Sequence, residues 1–194
     1  MKAVMLSIKP KWCELIASGK KTIEVCKTKP KLETPFKCYI YCTKGRELLI
    51  SINGVVQKID EWVFDLNHDC HVEELNGKVI GEFVCDTIKI YPYEPCNDGE
   101  HLIPYDDFGK ICMDGIQLYE YLRVNNGYGW HISDMVIYDK PKELSEFMKP
   151  CKYGDESDVS CFLCDKSGYA PDMHIDCFNT VIKPPQSWCY VERI

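Results

Sequence analysis

Along most of the 194-residue chain, apolar and polar positions alternate in short runs, and helical spacing appears only twice. Residues 3–8 form an apolar run that reads as a first strand. Pro10 then opens a helix predicted over residues 10–18. Proline's missing N–H is not needed in a first turn, and Trp12, Leu15 and Ile16 recur at helical spacing until Gly19 stops them. Ile23 and Val25 alternate with Thr22, Glu24 and Cys26, the two-residue period of a strand with one face buried. Cys38, Ile40 and Cys42 alternate with Tyr39 and Tyr41, which predicts a strand in contact on both faces. Two further strands, residues 48–52 and 55–59, flank Asn53-Gly54, a strong hairpin signal. Residues 60–76 are acidic and show no clear period. Asn76-Gly77 then turns the chain into a long strand over 78–91, with Val79, Gly81, Phe83 and Cys85 on one face and Ile80, Glu82, Val84 and Asp86 on the other.

Residues 92–110 are rich in Pro, Asp and Gly and predict a loop. Leu118, Tyr121 and Leu122 space a second helix over 116–124, stopped near Asn125-Asn126-Gly127. Strands over 129–138 and 188–194 complete the set. Six or so strands around two short helices predict a mainly β, α+β fold: one domain over residues 1–194, arranged as a small, partly open β-barrel.

Composition adds limits to this picture. An apolar content of 45% lets a chain of this length bury one ordinary core, with room for a small appended module. No apolar run approaches the roughly 18 residues of a membrane span, and the N-terminus lacks the long apolar stretch of a secretory signal. A soluble, cytoplasmic protein without a membrane partner is the expectation. Thirteen cysteines are scattered through strand-like segments, and without a signal Cys38, Cys42 and Cys85 are most simply reduced, buried thiols. The net charge of −7 argues against non-specific nucleic-acid binding. Its distribution is uneven: residues 1–46 hold eleven Lys or Arg against three Glu, or +8, and residues 47–194 hold twelve against twenty-seven acids, or −15. A local positive surface can still steer a phosphate-bearing ligand, because salt screens distant charge over about 8 to 10 Å. The alternative for Lys27, Lys29 and Lys31, with Pro30 among them, is a solvated loop.

The first helix and the strand after it bracket the most chemically suggestive stretch, residues 18–27. Thr22, Glu24 and Cys26 share a strand face, and Lys21, beside the helix end, can swing towards it. A partly desolvated lysine next to a carboxylate is how a proton carrier or an anion anchor is built. The alternative is a surface ion pair on a strand edge.

Gly19-x-Lys21-x-x-Glu24 resembles the signature Gly-x-Lys-x-x-Glu-x-Arg of ASCH domains, modules of the PUA-like superfamily. Cys26 stands at the arginine position, and a thiol cannot make a guanidinium's bidentate contact; Lys27 is adjacent but predicted to face the other way. Residues 1–10, 129–141 and 185–192 extend the resemblance to the small phage and bacterial ASCH proteins. It implies a PUA-like barrel and a module that binds RNA or a modified nucleoside or nucleotide in a cleft around the signature strand. The ligand-binding candidates are Lys9, Lys21, Glu24, Cys26, Trp130, His131, Ser187 and Tyr190. Trp130 at a cleft mouth would stack a base, and Ser187 and Tyr190 would line the cleft; for these and for His131 the alternative is core or rim packing. The chain is also similar to acetylcytidine amidohydrolases, which use a lysine, a threonine and a glutamate. Their lysine falls on Lys21, but their threonine falls on Glu24, leaving Thr22 two residues early on the same face. Lys21, Thr22 and Glu24 are the catalytic candidates if the protein is such a hydrolase or a ribonuclease of the family, since both need an activated hydroxyl or base.

One segment carries separate chemistry. Cys151, Cys161, Cys164 and Cys177 fall within 27 residues, with Cys161-x-x-Cys164 spaced as a metal knuckle and His174 as an alternative to Cys177. Zinc favours tetrahedral thiolate and imidazole ligands, and so polar a stretch has little apolar content to fold on, so residues 150–180 are a candidate structural zinc insertion. Its alternatives are a redox pair or surface thiols. Such an insertion also leaves open an adaptor that docks a protein partner.

Overall fold

The computed structural model describes residues 2–59, 72–94, 100–150 and 180–194. Strand β1 (Lys2–Ile8) leads into helix α1 (Pro10–Ala17), and β2 (Ile23–Cys26) follows at once. Then come β3 (Phe36–Cys42), the hairpin β4 (Leu48–Ile52) and β5 (Val55–Ile59), β6 (Val72–Glu74) and the long β7 (Val79–Tyr91). Short strands β8 (Tyr93–Glu94) and β9 (Glu100–His101) precede helices α2 (Tyr105–Ile111) and α3 (Gly115–Leu122), and β10 (Gly127–Lys142) and β11 (Trp188–Glu192) finish the chain. Six strands form one sheet in the order β11-β1-β3-β7-β10-β2, with β1 and β3 parallel, while β5-β4-β6 make a separate small sheet. The expected barrel is therefore an open sheet whose edge strands share no backbone ladder. Its edges are linked by side chains instead: Trp188 Nε1 donates to Thr28 Oγ1 at 2.9 Å, and Tyr190 OH accepts from the Lys31 N–H at 2.7 Å.

The tyrosine–cysteine alternation in β3 works as expected. Cys38, Ile40 and Cys42 enter the main core with Val4, Leu6, Phe83 and Trp130, whereas Tyr39 and Tyr41 pack on the other face against Met5, Val79 and Phe147. Asn53 (φ 49°) and Gly54 (φ 83°) make the tight turn that their dipeptide predicts. The seven described cysteines are free thiols, with Cys38, Cys42 and Cys85 fully buried. Among the described residues no helix is long and apolar enough to cross a membrane.

Two expectations need correction. Residues 105–111 are a helix, not part of a loop. In β7, Val79 does not share a face with Phe83 and Cys85: the pairing with β3 skips Ile80, and that irregularity shifts the alternation by one. Cys151, Cys161, Cys164, His174 and Cys177, and most of the acidic 60–76 segment, lie outside the described residues.

Candidate functional site

The helix-to-strand junction is clamped by main-chain bonds. Gly19 adopts φ +72°, the left-handed conformation of a helix-ending glycine, and its N–H donates to Ile16 O at 2.9 Å. Lys21 N–H donates back to Leu15 O at 2.9 Å, and Thr22 N–H donates to Lys110 O at 3.0 Å. With the backbone fixed in this way, β2 separates two environments. Ile23 and Val25 pack on Tyr91, Ile111, Leu118 and Leu122 beneath the helices, while Glu24 and Cys26 turn to the opposite side.

On that side lies a cleft of about 710 Å³. Lys21 is only 1% exposed; its Nζ donates to Ile111 O at 2.5 Å and pairs with Glu24 Oε2 at 3.4 Å. Ile111 closes α2, so its carbonyl is among those that a helix leaves free and lies at the negative end of the helix dipole, a favourable partner for an ammonium. The same Nζ stands 5.0 Å from the Trp12 ring centroid, and Lys11 lies 4.5 Å from that ring. Tyr121 of α3 also lines the cleft, with Lys27 Nζ 5.1 Å from its ring centroid. Lys27, predicted to face away, thus stands against one of the cleft's lining residues.

Glu24 Oε2 has no hydrogen-bond partner among the described residues. Burial raises the Glu24 carboxyl pKa, opposed by the charge of Lys21. Burial also pushes the Cys26 thiol up, with the Glu24 charge adding to the shift. Cys26 is 3% exposed and sits in the main core, so it forms wall rather than ligand for an anion. Lys9, Lys11 and Lys21 in the lining are offset by Glu24, Glu47 and Glu120. The basic N-terminal quarter therefore supplies the cleft's cations without making it strongly positive.

Of the residues read from the sequence, Lys9, Lys21, Glu24, Cys26 and Ser187 line this cleft. Thr22, Trp130, His131 and Tyr190 are not among its lining residues. The strand register explains two of them. Residues directly opposite on paired strands face the same side. His131 is opposite Ile23 and so points away from Glu24; its Nδ1 lies 2.7 Å from Asp86 Oδ1 on the surface. Trp130 is opposite Glu24 and on its side, but is fully buried 5.6 Å from Phe36 and 6.0 Å from Trp188, with no hydrogen-bond partner for Nε1 among the described residues. The cleft's aromatic residues, Trp12 and Tyr121, were read from the sequence only as apolar helix positions. Their helices place them at the edge of a core, where spacing alone looks the same.

A positioning chain supports Lys21 from behind. Asp107, 1% exposed in the first turn of α2, accepts from Lys89 Nζ at 2.8 Å with both carboxylate oxygens and from Tyr91 OH at 3.0 Å. Burial alone would raise this carboxyl, but the Lys89 and Tyr91 bonds hold it below the usual carboxylate range. These bonds pin α2 to β7, and the other end of α2 presents Ile111 O to Lys21.

The arrangement is an α+β fold of the ASCH type. The crystal structure of ASCH from Zymomonas mobilis matches over 98% of this chain and 88% of its own, with TM-score 0.52 and 14% identity. Two single-substitution variants of that protein match with TM-score 0.51 and 14% identity, one over 100% of this chain and 92% of its own, the other over 98% and 89%. No protein-family model matches the chain, and no curated protein matches it.

Proposed function

We propose that the protein is a binding module that holds a nucleoside or nucleotide, free or within RNA, in the cleft beside Lys21 and Glu24. The observation that carries this reading is the largely buried Glu24 carboxylate, ion-paired with Lys21 at 3.4 Å but with no hydrogen bond to Oε2 among the described residues, in a cleft that also presents Trp12 and Tyr121. A largely buried carboxylate held only by an ion pair is under-satisfied, and a ligand N–H that reaches the part of the carboxylate open to the cleft supplies a further hydrogen bond. A nucleobase offers both features the cleft asks for: a flat ring for the aromatic side chains and an amino or imino N–H on its edge. Lys21 is already committed to Ile111 O and Glu24, so it orients the carboxylate rather than serving as a free anion receptor. Phosphate, if present, meets the lining cations Lys9 and Lys11. Hydrolysis finds less support, because Thr22, the hydroxyl beside Lys21 in sequence, does not line the cleft.

The test is to titrate nucleosides, their 5′-monophosphates and acetylated cytidine against the protein, following heat and product together. Binding without product is expected. Trp12→Ala should weaken binding by about 1–3 kcal/mol, the contribution of one base–aromatic stack. Affinity should rise with pH through the raised Glu24 pKa, because the ionised carboxylate is the better acceptor. Product that disappears in Lys21→Ala would move the reading to an enzyme, and no binding by any of these compounds would end it.

A further inference from the structure

A second cavity, of about 650 Å³, opens beside the end of β3. It meets the Lys21–Glu24 cleft only at Ser7, Thr43 and Gln186, where Ser7 Oγ donates to Pro185 O at 2.6 Å and Ser7 N–H donates to Ser187 O at 2.8 Å. Its own chemistry is different. Tyr41 lines it although only 3% exposed, with its ring in the core cluster of Val79, Phe147 and Val181. The Tyr41 hydroxyl has no hydrogen-bond partner among the described residues. Burial raises its pKa, and Cys42 and Glu143 add to the rise, so it stays a neutral O–H near the Glu143 carboxylate. A buried hydroxyl without a partner is costly, and at a cavity wall a ligand acceptor recovers that cost.

Two of the lining residues are charged, Lys44 and Glu143. Lys44 makes no ion pair with a described residue. Its stem lies over the turn before β7, where a Cβ at Gly77 would come within 2.6 Å of Lys44 Cε, and Gly77 N–H donates to Cys42 O at 2.8 Å. The Glu143 side chain accepts the Glu146 N–H, which holds it at the start of the one-turn helix Leu144–Glu146 and leaves further acceptor capacity on the carboxylate. Leu144, Val181, Ile182 and Pro184 add an apolar wall in which Ile182 is 80% exposed, and Val181 N–H donates to Phe147 O at 2.8 Å to fix that wall. We propose that this cavity binds a free α-amino acid with an apolar side chain: its carboxylate meets Lys44 and the Tyr41 O–H, its ammonium meets Glu143, and its side chain covers the Ile182 wall. A ligand that is only anionic would face Glu143 and one that is only cationic would face Lys44, whereas a zwitterion complements both. The volume is that of a small-molecule site. The site stands apart from the reading of the Lys21–Glu24 cleft and does not depend on it.

The experiment titrates leucine, glycine, N-acetyl-leucine and leucinamide into the intact protein by calorimetry, in the wild type and in Tyr41→Phe, Lys44→Ala and Glu143→Gln, with thermal unfolding of each as a control on folding. Lys44 and Glu143 are exposed and the Tyr41 hydroxyl has no bond to lose, so all three variants should fold normally. Leucine should bind. N-acetyl-leucine, which lacks the ammonium, and leucinamide, which lacks the carboxylate, should each bind about tenfold or more weaker, the effect of one charge-assisted contact. Glycine should be weaker by a similar factor, because it leaves the apolar wall uncovered. Lys44→Ala should weaken leucine without weakening leucinamide further, and Glu143→Gln should do the same for leucine and N-acetyl-leucine. Tyr41→Phe should weaken leucine about three- to tenfold, the effect of one neutral hydrogen bond. Trp12→Ala should leave leucine affinity unchanged. No binding by leucine would overturn the proposal, as would N-acetyl-leucine and leucinamide binding as tightly as leucine, or a Tyr41→Phe variant that binds leucine like the wild type. Displacement of leucine by a nucleoside would put both ligands in one cleft and overturn the separate site. Leucine binding in a protein that binds no nucleoside would uphold this site and end the cleft reading alone.

Discussion

Lys21→Met should destabilise the protein by about 3–5 kcal/mol and remove ligand binding altogether. The size follows from what is left behind. Lys21 is 1% exposed, and Glu24, its ion-pair partner at 3.4 Å, already has one oxygen without a hydrogen bond. Taking away the ammonium strands a carboxylate in a low-dielectric wall, and breaking a buried pair from one side has costs in this range. The pH dependence is diagnostic. Burial already raises the Glu24 pKa, and Lys21 works against that rise, so without Lys21 the folded-state pKa climbs further above the unfolded value. A group with a raised folded pKa contributes stability below its unfolded pKa and loses that contribution as pH rises towards the folded one. The variant should therefore be least disadvantaged at acid pH and fall furthest behind the wild type near neutrality. Denaturant unfolding at pH 4.5 and 7.5 would show it, and Lys21→Met with Glu24→Leu should recover much of the loss without recovering binding. Equal destabilisation at both pH values would mean that Glu24 is not what Lys21 neutralises.

Asp107→Ala should cost about 2–3 kcal/mol, although the residue touches no part of the cleft. It removes the acceptor for Tyr91 OH and Lys89 Nζ, and hydrogen bonds to a charged group contribute on this order. Tyr91 is fully buried, so its hydroxyl would be left without that partner inside the structure, while Lys89 is partly exposed and can turn to water. The Asp107 carboxyl is held below the usual range, so its contribution is present above the unfolded pKa near 4 and is lost as pH falls through the folded value. In Asp107→Asn that part of the acid-unfolding slope should vanish. Ligand affinity should drop as well, because α2 is anchored at one end by Asp107 and at the other places Ile111 O against Lys21. Unchanged stability in Asp107→Ala would show that the helix holds its position by other means.

Local punctuation carried most of the fold. Pro10 and Gly19 bracket α1, Asn53-Gly54 marks the hairpin, and the β3 alternation gives both of its faces, because each reflects a constraint contained in a few consecutive residues. What was not legible depended on contacts distant in sequence. Helix α2 contains Gly109 and two aspartates, and its first turn is fixed by Asp107 bonding to β7, a tertiary cause that no window over 105–111 contains. The phase slip at Ile80 comes from pairing with β3 and leaves no mark in the apolar period. At the site, Lys21 and Glu24 are legible because only two residues of fixed backbone, Thr22 and Ile23, lie between them. The sequence points to β10 and β11 for the aromatic side chains of the cleft, where tryptophan and tyrosine stand beside strand ends, whereas α1 and α3 supply them. Register accounts for this: Trp130 has the right side but is covered by Phe36 and Trp188, and His131 has the wrong side.

The central claim is that a nucleoside sits between Lys21–Glu24 and the cleft aromatics, and the indole N–H signals of the four tryptophans report on it directly. With isotope-labelled protein and a saturating nucleoside, the Trp12 indole signal should move most, together with the backbone amides of Lys21, Glu24 and Tyr121. The signals of buried Trp130 and of Trp188, whose Nε1 is bonded to Thr28, should stay nearly in place. A Trp12 signal that does not move at saturation, or shifts confined to residues around His131 and Asp86 on the other face of the sheet, would contradict the account.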